Sequence, residues 1–437
     1  MLNTFKNMFK VPELRKKLLF TLGVILVYRI GSHIPTPGID RDALTALLNN
    51  SGSNGLLGMF DMFVGGAFKR AAVFSLGVMP YISASIIIQL LGTVSPYFHK
   101  LQKEGPEGRR KITQYTRYGT VVIALIQSVF LSQSFGSDVV LDFVPLWAFK
   151  ITTIISFTTG TLVVMWLGEQ ITNRGIGNGI SILILIGIVA RLPFAIVSQI
   201  QATINHTGNN SPLSSMLLFG IVLGMVAFIV WMYIATRRIP IQTPKKSMGN
   251  RSSQVQASVL PLRLNMAGVI PVIFASSLMM VPGFLANLMN NEGVWQTIGT
   301  VYNPSRMHPV YLITFAVLII FFTYFYTAII FNPNDIADNL KRSNGFIPGV
   351  KPGKPTAEYL EKVLNRITLP GSVFLAIIAV APMIIVQRFQ ANFYFGGTSV
   401  LIVVGVALDS LQQIESHLQS RNYSGFMKKG SLKGRIG

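Results

Sequence analysis

The side chains able to do acid–base, redox or metal chemistry are few here: 16 Asp and Glu, five His and no Cys, beside 37 Lys and Arg. The missing cysteines remove disulfides, thiolate metal sites and thiol catalysis together. His33, His99, His206, His308 and His417 fall at the ends of apolar stretches or between them, and no HExxH helix occurs. No acid stands in the middle of an apolar stretch long enough to span; Glu169 and Asp409 stand at the ends of such stretches, where solvation or capping is the plain role. An intramembrane enzyme or an ion-coupled carrier needs such groups near the midplane to hold the nucleophile, proton or ion. The sequence therefore offers no catalytic residues, no metal ligands and no cofactor site. Arg29 and Arg191 are the basic residues well inside apolar stretches, and snorkelling to a membrane surface accounts for both. Gln89, Gln127 and Asn265 are polar residues within such stretches. Each is either helix glue worth about 0.6 kcal/mol or part of a seam that opens.

The elements that carry these residues are apolar. The chain has 437 residues, 50% hydrophobic and only 12% charged, with a mean hydropathy of +0.51. A soluble protein carries about 25% charged residues. The formal charge of +21 points to nucleic acid, an anionic membrane face or a topology signal. The apolar composition favours the last two.

Crossing about 30 Å of hydrocarbon takes about 20 helical residues. Residues 71–98, 118–137, 264–291, 307–334, 367–387 and 389–408 lack Asp, Glu, Lys and Arg over that length. The shorter stretch 151–168 extends outward through Trp147 and Lys150, and 18–34 crosses with Arg29 near its far end. The charge-free stretch 192–236 breaks at a polar turn, 206–212, so it ends one span begun at Gly179 and supplies another. The expected fold is an all-α polytopic membrane protein of ten spans. With residues 1–17 inside as a retained tail, 29 of the 37 basic residues fall on one side. The positive-inside rule makes that side cytoplasmic, with both termini on it.

Two inside loops, 236–264 and 332–366, exceed mere connections, and long loops tend to be functional. The second carries Gly345, Pro348, Gly349, Pro352, Gly353 and Pro355, which would hold a protruding tip and make a docking surface. The outside segment 35–70 ends in an apolar, glycine-bearing stretch, 55–68, too short to span. It is either a surface amphipathic helix or a re-entrant piece buried by protein.

Particular strings carry more. Phe74 to Leu91 reads FSLGVMPYISASIIIQLL, Gly168 to Ser181 reads GEQITNRGIGNGIS, Asn265 to Ser277 reads NMAGVIPVIFASS and Tyr394 to Val404 reads YFGGTSVLIVV. With EGPEGRRKITQYTRYG from Glu104 and FNPNDIADNLKRSNGFIPG from Phe331, the chain resembles the bacterial SecY family from Pro12 to about Gly434. That family supplies the channel-forming subunit of the SecYEG protein translocase.

The resemblance implies two inverted five-helix halves forming a clamshell around a pore. The first would be 18–200 and the second 213–414, hinged by 201–212 and followed by a basic tail, 415–437. It makes 55–68 a short re-entrant plug helix, with Gly55, Leu56, Leu57, Met59, Phe60, Met62, Phe63 and Phe68 as its residues. It places a pore ring on Val78, Ile82, Ile184, Ile273 and Ile402. By themselves, Val78 and Ile82 are an i, i+4 pair that reads as core. As a ring, aliphatic side chains make a gasket that selects no sequence and resists ion leak by dewetting. A lateral gate would run between the second and seventh spans, at Ile86, Gln89, Gln127, Asn265 and Val281, with Gln127 and Asn265 as a polar latch.

Docking of the SecA ATPase or a translating ribosome would use Lys245, Lys246, Arg251, Lys341, Arg342 and Lys351. The family's loop-tip Arg is Lys351 here, and its paired Arg becomes Asn250 and Arg251. Lysine keeps the charge but lacks the planar fork for bidentate contacts. The other implied partners are SecE, SecG, signal-bearing preproteins and membrane lipid, with no DNA, in a bacterial plasma membrane. The implied activity is passive conduction of unfolded preproteins, with sideways release of signal sequences and transmembrane helices into lipid. SecA, the ribosome or the proton-motive force would supply the energy. A small-solute or lipid carrier is the alternative, but it should show a polar midplane site where this chain has aliphatics. A scaffold for cytoplasmic proteins would explain the loops but neither plug nor ring.

Overall fold

A computed structural model describes residues 11–40, 43–44, 61, 64–135, 139–141, 144–205, 212–243, 256–288, 293–302, 308–389 and 397–429. The helices of the first half are α1 (Pro12–Gly31), α2 (Met79–Val94), α3 (Pro96–Lys103), α4 (Pro106–Ser134), α5 (Leu146–Arg174), α6 (Gly179–Val189) and α7 (Leu192–Ile204). Next come α8 (Pro212–Ile234), a hairpin of β1 (Thr236–Thr243) and β2 (Gln256–Arg263), then α9 (Ile270–Leu288) and α10 (Val294–Val301). The chain continues through α11 (Pro309–Ile330), α12 (Pro333–Arg342), α13 (Lys354–Phe389) and α14 (Gly397–Lys429).

Helix ends follow local chemistry. Asn178 caps α6 by accepting from the Ile180 and Ser181 amides, and Asn332 caps α12 by accepting from Asn334. Within the apolar helices hydroxyls turn inward: Thr120, Thr161, Thr323 and Thr327 each donate to the carbonyl four residues back, so none meets hydrocarbon unpaired.

The two halves pack by one scheme. In the first, α4 lies between α2 and α5, α5 against α6, and α1 against both α5 and α6. In the second, α11 lies between α9 and α13, α13 against α14, and α8 against both α13 and α14. The halves meet where α2 touches α9, where α6 touches α14 and where α7 touches α8. One hydrophobic core runs through both halves.

Ten helical units follow the expected order, two of them built from helix pairs. Among the described residues, six helices cross a membrane on length and composition alone, and seven do if α2 and α3, bent by 99°, count as one span. The span expected at 71–98 is the main departure. There the helix begins only at Met79 and runs to Val94, with residues 96–98 opening α3, and residues 64–78 form mostly buried turns. Gly65, Gly66 and Gly77 all take positive φ, which stops a helix from starting earlier. Another departure concerns the two long loops. Gln242 and Phe346 exchange backbone hydrogen bonds of 2.9 and 3.0 Å, so the hairpin and the 332–366 segment join as one unit. That unit has its own core of Ile239, Leu262, Phe331, Ile347, Leu360, Val363 and Leu364.

Candidate functional site: the central constriction

Four elements carry the five residues expected to form a ring: the start of α2, then α6, α9 and α14. Val78 precedes the first turn of α2 and Ile82 lies one turn on; Ile184, Ile273 and Ile402 come from the other three. All five are buried, none more than 5% exposed, within one core. The sequence signal was weak because each is an ordinary apolar residue of its helix. Helix packing is what groups them.

On the face that bears the hairpin lies a cavity of about 750 Å³. Ile82, Ile184, Ile273 and Phe274 contribute its apolar lining, and Gln89, Arg109, Arg110, Arg117, Glu169 and Asn178 contribute polar walls. Arg117 on α4 grips Glu169 on α5 through two parallel bonds, Nε to Oε1 at 2.8 Å and Nη2 to Oε2 at 2.7 Å. This bidentate geometry fixes the two helices relative to each other. A second cavity of about 440 Å³ adjoins, lined among others by Arg263, Asn265, Gly268 and Asp409. It shares Asn178, Ser181, Ile270 and Tyr326 with the first.

Residues 64–78 pack into the same core as these five. Val64, Ala67 and Phe68 are buried, and Phe68 stacks on Phe135 with ring centroids 6.3 Å apart. Gly77 sits so close to Val64 that a Cβ there would stand 3.2 Å from it. This irregular backbone is hydrogen-bonded: the amides of Gly66, Ala71, Ala72, Val73, Ser75 and Gly77 donate to Asp61, Phe68, Ala67, Ile34, Ala72 and Phe74 carbonyls. Non-helical backbone persists at membrane depth only when satisfied in this way. Of the stretch 55–68, for which a surface helix and a re-entrant piece are the alternatives, only residues 61 and 64–68 are described, and these are buried. Of the plug residues, Phe68 is in this packed segment; Gly55, Leu56, Leu57, Met59, Phe60, Met62 and Phe63 lie outside the described residues.

The gate residues are spread along one seam and beyond it. α2 packs on α9, where the Ser277 hydroxyl donates to Met79 Sδ at 3.8 Å. Ile86 is buried and Val281 exposed. Gln89 donates to Ser85 on its own helix at 3.0 Å. Asn265 donates to the Gly268 carbonyl at 3.0 Å, and Gln127 Oε1 is buried without a partner. Among the described residues no hydrogen bond joins Gln127 to Asn265. Of the docking residues, Lys341 and Arg342 are exposed in the last turn of α12, and Lys351 is exposed on the tip. The tip is shaped by Gly349 and Gly353 at positive φ and by a Thr356 Oγ1 bond to the Lys351 carbonyl. Lys245, Lys246, Asn250 and Arg251 lie outside the described residues.

Arg191 departs from the snorkelling expectation. Its guanidinium is bonded to Asp61, whose side chain is fully buried. Asp61 sat in a stretch read as apolar, so only the folded chain exposes its role. No group of three or more His, Cys, Asp and Glu with metal-binding geometry occurs among the described residues.

Paired five-helix units around one apolar core, with a polar-walled cavity beside it, define a polytopic membrane protein. Residues 72–411 match the SecY family profile. The Protein translocase subunit SecY of Streptomyces griseus is 47% identical over 98% of this chain and 100% of its own length; that of Escherichia coli K12 is 45% identical over 97% and 96%. Three solved structures share the fold at 16% identity and 92% coverage of both chains. They are a protein-conducting channel (TM-score 0.64), a SecY whose plug domain stabilises the closed channel (0.62) and Sec61 in a canine ribosome–channel complex from the endoplasmic reticulum (0.61). The chain belongs to the SecY family.

Proposed function

We propose that this chain is the central pore subunit of a bacterial protein translocase, a passive conduit for unfolded preproteins. The observations that support the reading are five aliphatic side chains buried in one core and a polar-walled cavity lined by three of them, Ile82, Ile184 and Ile273; we read the five as a ring. Such a ring has no hydrogen-bonding specificity, so it can fit around any extended chain and dewet when empty. A carrier would need polar or charged ligands where Val78, Ile82, Ile184, Ile273 and Ile402 stand.

The cavity faces the cytoplasm in this reading, because the basic hairpin and tip lie on its side. The bacterial inner membrane is the location, with both termini inside. Residues 55–68 plug the far side. An apolar signal helix leaves sideways along the α2/α9 seam past Ile86, Gln89 and Val281, gaining about 0.8 kcal/mol for each CH₂ moved into lipid. Gln127 and Asn265 contribute polar groups near that path. The joined hairpin and tip receive SecA or the ribosome through Lys341, Arg342 and Lys351, with Lys245, Lys246 and Arg251 in support. SecE and SecG complete the complex, and SecA, the translating ribosome or the proton-motive force supplies the energy.

The test is reconstitution of the chain with SecE in liposomes, with a signal-bearing preprotein, SecA and ATP. Protease protection that needs ATP and is lost in Lys351→Glu supports both conduit and docking tip. No protection, with the same SecA active on a known translocon, overturns the reading.

A further inference from the structure

Three guanidinium groups converge on one turn of the 64–78 segment, and among the described residues one carboxylate, Asp61, bonds to them. Arg29 comes from the last turn of α1, Arg191 from the break between α6 and α7, and Arg70 from the 64–78 segment itself. Their meeting point is Gly65–Gly66, both at positive φ. A Cβ on Gly65 would stand 3.2 Å from Arg29 Nη1 and 2.8 Å from the Cα of Gly187 on α6; one on Gly66 would stand 3.5 Å from Arg191 Nε and 3.7 Å from Arg70 Nη2. A side chain at Gly65 would push on the α6 backbone and Arg29, and at both positions positive φ strains any residue but glycine.

Asp61 organises this turn from inside. Its Oδ2 accepts from Arg191 Nη2, its Oδ1 accepts from the Lys69 amide at 3.0 Å, and its carbonyl accepts from the Gly66 amide at 3.0 Å. One residue thus closes the 61–69 loop on itself and ties it to the α6/α7 junction. Arg29 Nη1 and Arg70 Nη1 are buried with no hydrogen-bond partner among the described residues. Their uncompensated charge favours keeping the Asp61 carboxylate in place. Asp61 is fully buried, whereas the Arg191 side chain is 32% exposed, so water reaches the pair from the arginine side.

We propose that the Asp61–Arg191 ion pair is the latch that seats the carboxyl-terminal end of the plug, and that its strength sets how readily the pore opens. The latch rests on the plug reading above. A buried pair adds little net stability, because desolvation offsets attraction, but separating its members is strongly unfavourable. That asymmetry suits a latch: it holds one seated geometry and releases in one step when a passenger displaces the loop into water.

The test uses the intact translocon complex in proteoliposomes, reading iodide influx without substrate. Asp61→Asn and Arg191→Gln each raise the resting leak about tenfold, the double variant leaks no more than either single one, and Asp61→Glu stays near the unmodified protein. Because the chain has no Cys, Asp61→Cys with Arg191→Cys can be bridged by a short bis-maleimide. Bridging lowers the leak of the folded double variant, an effect that mere structural damage would not give. Deletion of 55–68 separates the two ideas. If deletion raises the leak while the point variants do not, or if their effects add, the latch is wrong and the plug reading stands. If deletion leaves the leak unchanged, the plug reading is wrong and the latch falls with it.

Discussion

The first and second halves use one packing scheme and fill it differently. In both, a central helix (α4 or α11) lies between two neighbours, and the first helix of the half (α1 or α8) leans on the last two. The first half adds the buried segment 64–78 and its ion pairs, Asp61–Arg191 and Glu169–Arg117. The second adds a hairpin fused to a tip, with a separate small core outside the main one. The repeat makes the scaffold, and the departures from it distinguish the halves: a buried non-helical segment in the first, an added hairpin-and-tip unit in the second. Charge follows the same division. Acid–base pairs lock helices of the first half from within, whereas Lys341, Arg342 and Lys351 of the second stand exposed and available.

The largest expected effect tests whether the first half is the more tightly built. A Cβ on Gly179 would stand 1.9 Å from the Gly168 carbonyl oxygen, and one on Gly371 would stand 2.5 Å from that of Leu264; around Gly224 nothing lies within 4 Å. Gly179→Ala should destabilise by about 3 kcal/mol, Gly371→Ala by about 2, and Gly224→Ala hardly at all. Thermal unfolding midpoints in one detergent rank the three. A larger effect at Gly371 than at Gly179 breaks the comparison.

Next is the independence of the docking unit. Leu360 is fully buried in the small core, so Leu360→Ala should cost that unit about 2 to 3 kcal/mol. Proteolysis should then begin near the hairpin while the membrane-embedded helices stay protected. Simultaneous loss of both regions would mean that the two cores unfold as one.

Ile184 and Ile402 sample the ring from opposite halves, 1% and 0% exposed. Ile184→Ala and Ile402→Ala should each lower stability by about 2 kcal/mol and raise ion leak by similar factors. A leak from only one of them would show that one half makes the seal.

A smaller effect sharpens the electrostatic contrast. Arg117→Gln leaves Glu169, 15% exposed, without its bidentate partner, and should cost about 1 to 2 kcal/mol. Lys351→Glu on the exposed tip should change stability by less than about 0.5 kcal/mol while weakening SecA binding in a sedimentation assay. Equal stability losses in the two variants would erase the distinction between locking and docking charges.

The sequence by itself determined the class, because hydrocarbon crossing imposes a length and a composition that read directly as ten apolar stretches. The basic loops were likewise legible, and the long matched strings carried the family. The span at 71–98 misled, because absence of charge marks burial but not helix. Mostly buried turns with Ala71 and Gly77 at positive φ fill its first part instead. Arg191 was read alone as snorkelling; Asp61, 130 positions earlier, is its partner. Only tertiary structure buried Val78, Ile82, Ile184, Ile273 and Ile402 in one core, or joined Gln242 to Phe346. Hydropathy fixes which residues leave water, whereas contacts between distant residues depend on how helices pack, and that information is spread over the whole chain.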